Sequence, residues 1–134
     1  TPESPEDVFA AAVDAQEVST DEAAVNSQFS LAPETKTISG GEIAATSPNL
    51  KLQGEDGNSD TLTNISNIYN GKIIVLSLSV GEPNITVADN GSSGPTNMLL
   101  NGSDFTLTDA NDKLTLIYDA QQSNWNEISR SDNN

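Results

Sequence analysis

From Thr37 onward, apolar residues recur in short bursts at every second position, and Asn, Gly, Asp and Ser separate the bursts. That cadence predicts short β-strands joined by tight turns. "TISGGEIA" places Ile38 and Ile43 around a Gly-Gly turn, and "NLKLQ" alternates Leu50 and Leu52. "DTLTNISNIY" alternates less cleanly through Leu62, Ile65 and Ile68. "GKIIVLSLSV" is the strongest strand, bounded by Gly71 and Gly81. Its first half is apolar at consecutive positions, which predicts a central strand covered on both sides. In its second half Leu76, Leu78 and Val80 alternate with Ser77 and Ser79, the pattern of one-sided burial. "NITVAD", "NMLLNG", "DFTL", "DKLTLIYD" and "NWNEISRS" complete the series. No βαβ crossover and no strong internal repeat is visible. The expectation is an all-β fold, a small antiparallel β-sandwich or barrel, with a short helical or extended N-terminal arm.

The final pair of segments predicts a hairpin. Leu114, Leu116 and Tyr118 share one face, "DAQQSN" turns the chain, and Trp125 and Ile128 return with one irregular step that reads as a bulge. Tyr118 and Trp125 then form a cross-strand pair, more readily a core plug than a ligand platform.

Residues 1–36 follow another pattern. In "SPEDVFAAAVDAQ", Ser4 suits a helix cap, Pro5 the first helical position, and Glu6 and Asp7 the positive end of the dipole. Val8, Phe9, Ala12 and Val13 fall on one face at spacings of three and four. Barely three turns long, such a helix is marginal alone and needs a surface to lie on. These four residues are the candidate docking face. Ser19 and Glu22 mark a weaker second helix start. The shift in composition near Pro33 to Thr37 divides the chain into an arm, 1–36, and a β-domain, 37–134.

Charge narrows the partners. Five basic residues face twenty acidic ones, a net charge of −15. Nucleic acid is not an expected partner, because phosphate binding needs clustered Lys and Arg. An anionic membrane is not an expected partner on the same ground, and no run reaches the length of a membrane span. Cysteine and histidine are both absent. Disulfides, thiolate chemistry and the commonest general base and metal ligand go with them. The first residues are polar and acidic, unlike the pattern expected of a signal peptide. The lack of an initiator Met suggests processing, or numbering that starts inside a longer chain.

Little else in the sequence points to chemistry. "DGNSD", Asp56 to Asp60, opens like a calcium loop, but Thr61 stands at the sixth position and Asn67 at the twelfth, so it fails as an EF-hand. Asp89, Asp104, Asp109 and Asp119 sit at strand ends, where acids terminate strands more often than they make a glycosidase pair. Four N-x-S/T sequons, at Asn64, Asn84, Asn90 and Asn101, read as chance in an Asn-rich chain. Asn90-Gly91 and Asn101-Gly102 read as tight turns. Neither a metal site nor a cofactor is expected. Tyr69, Tyr118 and Trp125 are the aromatic candidates for either core or ligand.

From Thr61 to Asn134 the chain shows "GKIIVLSL", "ITVADNGSSGPTNMLLNGSDFTL" and "DKLTLIYDAQQSNWNEISRS". These stretches run as a hydrophobic strand, a strand ending in Asp, an N-x-L-L-x-G step, a D-F-x-L turn, an L-T-L-x-Y-D strand and a W-x-E-x-S-R ending. This order resembles a C-terminal pattern of tailed-bacteriophage virion proteins, among them head-decoration, fibre and spike-associated proteins. The resemblance covers a little over half the chain and rests on packing and turn motifs. It implies a non-enzymatic structural protein, commonly a homotrimer. The expectation is a capsid decoration, or cement, protein on the outer capsid surface, bound to the major capsid protein. The alternative is a tail-fibre or receptor-binding module recognising host glycans.

Overall fold

The computed structural model describes residues 29–91 and 97–133. Among them are eleven strands in chain order: β1 (Pro33–Thr37), β2 (Glu42–Ala44), β3 (Asn49–Gln53), β4 (Asp60–Leu62), β5 (Asn64–Ser66), β6 (Ile73–Leu78), β7 (Ile85–Val87), β8 (Asn97–Leu99), β9 (Phe105–Leu107), β10 (Lys113–Asp119) and β11 (Asn124–Ser131). The all-β expectation holds. β1 begins inside the segment assigned to the arm, and residues 33–36 belong to a sheet.

The arrangement of the strands departs from an antiparallel sandwich or barrel. β2 pairs with β5, β3 with β6 and β4 with β7, all in parallel. Glu42 lies beside Asn64, Asn49 beside Val75, and Asp60 beside Ile85. The chain therefore winds twice through the same three strand positions, in a solenoid-like stack. The physical reason is one of side-chain supply. Stacked windings bring apolar residues of equal depth together: Ile43 on Ile65, Leu50 on Leu76, Leu52 on Leu78 and Leu62 on Val87. All eight are buried. A parallel partner normally requires a long crossover; here the rest of each winding serves as that crossover.

An antiparallel ribbon then closes the stack. β9 pairs with β7, β10 with β6, and β11 with β10. β8 runs parallel to β11, and β1 lies parallel to β3. The result is one six-stranded sheet in the order β1-β3-β6-β10-β11-β8, a three-stranded sheet β4-β7-β9, and the pair β2-β5. Corners are tight. Gly41 has φ +80°, and a Cβ there would stand 2.6 Å from Thr63 Oγ1, so the turn into β2 requires glycine.

The terminal hairpin forms as its pattern predicts. Tyr118 lies directly opposite Trp125, their ring centroids 5.3 Å apart at 63°. Trp125 is fully buried, and its indole N–H donates to the Ile65 carbonyl at 3.3 Å. The ring thus ties the last strand to the second winding. The expected irregularity is a bulge opposite the step from Thr115 to Leu116. Ile128, expected to return to the core beside Trp125, is the extra residue at that bulge and is exposed.

Candidate interaction surface

The motif residues of the C-terminal stretch are engaged with one another. Asp104 Oδ1 accepts the Asp89 N–H at 2.8 Å, and Asp89 Oδ1 accepts the Leu100 N–H at 2.7 Å. Arg130 pairs with Glu127 at 2.7 Å and donates to the carbonyls of Leu100, Ser103 and Asp104. Its guanidinium stands 4.9 Å from the Phe105 ring centroid. Hydrogen bonding to Glu127 raises the Arg130 pKa, against a smaller opposing effect of burial. The bulge makes this clamp. Regular alternation after Trp125 would put Glu127, Ser129 and Ser131 on one side; the extra residue brings Arg130 to the side of Glu127 instead.

The other candidate acids also serve turns. Asp109 Oδ1 accepts the Asn111 N–H, and Asp119 Oδ1 accepts that of Gln121. Asp60 accepts the N–H groups of Glu55 and Thr61, which closes the "DGNSD" loop on itself. Asn90 and Asn101 take the left-handed conformation expected of turns, with φ of 60° and 54°. Asp112, which carried no signal in the sequence beyond its place before a strand, is fully buried. It accepts from the backbone of Thr108, Asp109 and Asn133 and from the Thr108 hydroxyl. Burial pushes its pKa upward, but these four donors together outweigh it and hold the carboxyl below its ordinary value.

The three aromatic candidates separate. Tyr118 and Trp125 are core. Tyr69 is exposed, with the Lys72 ammonium 4.8 Å from its ring centroid. Lys72 is fixed by the carbonyls of Ala45 and Asn67. Tyr69 and Lys72 line a shallow groove with Thr46, Ser47, Pro48 and Ile73. The docking face expected from Val8, Phe9, Ala12 and Val13 lies outside the described residues. Among the described residues no group of acids is placed to hold a metal ion, and no helix is long and apolar enough to cross a membrane.

One surface has the character of a binding face: the outer side of the six-stranded sheet. β6 is central, as expected, but its outer side is open over its first half, at Ile73 and Val75, and covered only at Ser77. Ile74 and Leu76 enter the core, whereas Ile73 points outward and is 48% exposed. In register across four strands stand Ile73, Ile117, Asn126 and Leu99. Val75 and Thr115 form the next row, and the bulge adds Ile128, 53% exposed. Shallow grooves border this patch, one lined by Leu99, Asn101, Asn126, Glu127 and Ile128 and another by residues that include Asn70, Ile117 and Asp119. With a small apolar patch set among hydroxyl and amide groups, the face suits a macromolecular partner better than a small substrate.

Comparison with protein-family models, with curated proteins and with solved structures finds no match to the chain.

Proposed function

We propose that the protein is a non-enzymatic structural protein of a phage particle, a decoration protein that binds the major capsid protein on the outer surface of the head. One observation supports this most. The residues that carry the resemblance to virion proteins, among them Asp89, Asp104, Phe105, Glu127 and Arg130, are held in a mutual clamp. They build a rigid β-body and leave no reactive group among themselves. In this reading the acidic body projects into water, the arm docks through Val8, Phe9, Ala12 and Val13, and lateral contacts resist internal pressure. Binding energy comes from buried apolar area, and the protein works as a homo-oligomer without a cofactor.

The second reading, a tail-fibre or receptor-binding module for host glycans, is favoured by exposed Tyr69 beside its groove. Loss of Tyr118 and Trp125 to the core weakens it.

Immunogold labelling of intact particles with antibody to residues 37–134 tests the reading. Gold at many sites over the head is the expected result. Gold confined to the tail would transfer the proposal to the receptor module, and unlabelled particles would overturn both. Phe9→Asp should release the protein from particles while the circular dichroism of the β-domain stays unchanged. Normal decoration by that variant would show that the arm does not dock.

A further inference from the structure

We infer that the outer face of the six-stranded sheet is where a second copy of this chain packs, sheet on sheet, about a two-fold axis. The inference does not depend on the virion reading. It begins with charge. Thirteen acidic residues follow residue 28. By strand alternation, the outward positions of the sheet carry one of them, Asp119, together with Lys51 and Lys113. The remaining outward positions are apolar, hydroxyl or amide groups, Ile73, Val75, Thr115, Ile117 and Asn126 among them, and of these outward positions Ser77 is already buried within the chain. A chain of net charge −15 repels its own copies over most approaches. This face lets two copies meet with scarcely an acid between them.

The charges it does carry are self-complementary. Lys113 and Asp119 lie on the same face at opposite ends of β10, about 20 Å apart at ~3.3 Å per residue. A two-fold axis in the interface plane, crossing β10 near Leu116, runs the two β10 strands antiparallel. Lys113 then stands opposite Asp119 of the partner subunit, and the same pair recurs on the other side of the axis. Ile117, Ile73 and Val75 fall between the two charge pairs, where water is excluded. Such reciprocity is the signature of an isologous contact, and aligned sheet-on-sheet packing is its ordinary geometry.

The size is adequate for a reversible dimer. Six strands at ~4.8 Å spacing and a mean length near 19 Å present roughly 550 Å² of flat area per copy. Two copies together reach about 1,100 Å², at the lower edge of specific interfaces. The pairing is two-fold, in place of the three-fold order that the resemblance implies.

Sedimentation equilibrium of the full chain, across a concentration series around the micromolar range, gives the test. A dimer that dissociates on dilution is expected. Ile117→Asp should raise the dissociation constant at least tenfold with an unchanged circular dichroism spectrum, and Ile73→Asp serves if that variant fails to fold. Lys113→Asp and Asp119→Lys should each weaken the dimer several-fold, and the double exchange should restore it. A strictly monomeric or trimeric chain would overturn the inference. So would a dimer indifferent to both isoleucine substitutions, or a double exchange no tighter than the single ones.

Discussion

Asp112 shows how much one side chain can hold together. Its carboxylate joins the turn before β10 to the end of β11, accepting from Thr108 and Asp109 through one oxygen and from Asn133 through the other. Its pKa is lowered in the fold, so it favours the native state most where the unfolded chain is also ionised. That stability is fully present above an unfolded carboxyl pKa of about 3.9 and is lost as pH falls below it toward the folded value. Urea midpoints measured from pH 6 down to pH 2.5 should fall steeply below about pH 4. Asp112→Asn should flatten that fall and lower stability at pH 6. An unaltered pH profile in the variant would remove Asp112 from the account. The role was not legible beforehand, since a buried aspartate and an exposed one look alike in a strand-end "NDK". Tyr118 and Trp125 were legible, because alternation places both on the inner face and the intervening turn brings them together.

At the scale of elements, the loop from Leu100 to Asp104 depends on β11 through Arg130. Arg130→Ala strands Glu127, whose side chain is 8% exposed, and frees three carbonyls. A loss of about 2–3 kcal/mol is expected in denaturant unfolding, since hydrogen bonds to charged groups contribute more than neutral ones. Arg130→Lys should recover little of it, because an ammonium cannot span Glu127 and the loop carbonyls at once. Limited proteolysis should cut the variants first within residues 100–104, and full rescue by lysine would show that charge alone suffices. Strand positions themselves were largely readable: "NLKLQ" coincides with β3, and "NWNEISRS" with β11. Their partners were not. Alternation encodes which face a residue takes and says nothing of which strand lies beside it. The two windings also differ in length, so no fixed period marks them, and only the depth of "EIA" and "NIS" or of "NLKLQ" and "IIVLSL" is shared. The same limit explains β6. Consecutive apolar residues signal two hydrophobic faces, and the sequence cannot say whether the second is covered by this chain or offered to another.

For the molecule as a whole, the acidic balance sets the response to salt. All five basic residues lie in or beside strands of the six-stranded sheet, at Lys36, Lys51, Lys72, Lys113 and Arg130, whereas of the described acids only Glu34, Asp119 and Glu127 lie in its strands. Self-repulsion within residues 29–134, where thirteen acids face five basic residues, opposes folding and is screened by ions. The melting temperature should therefore rise between roughly 20 mM and 0.5 M sodium chloride, as the screening length shrinks from about 20 Å to a few ångströms. A fall over that range would mean that attractive pairs such as Glu127 with Arg130 outweigh the net repulsion.

The single tryptophan has a consequence for optical work. Its ring is closed off from water and bound through its N–H to Ile65 in the second winding. Emission excited beyond the tyrosine absorption band therefore belongs to one fluorophore in one dry environment, with the Tyr118 ring against its edge. A red shift of that emission times the parting of β11 from the windings, and quenchers dissolved in water reach it only after that parting. Ligands, partners or particles that meet the outer surface will leave the signal silent, so any change seen on mixing reports that the body itself has opened.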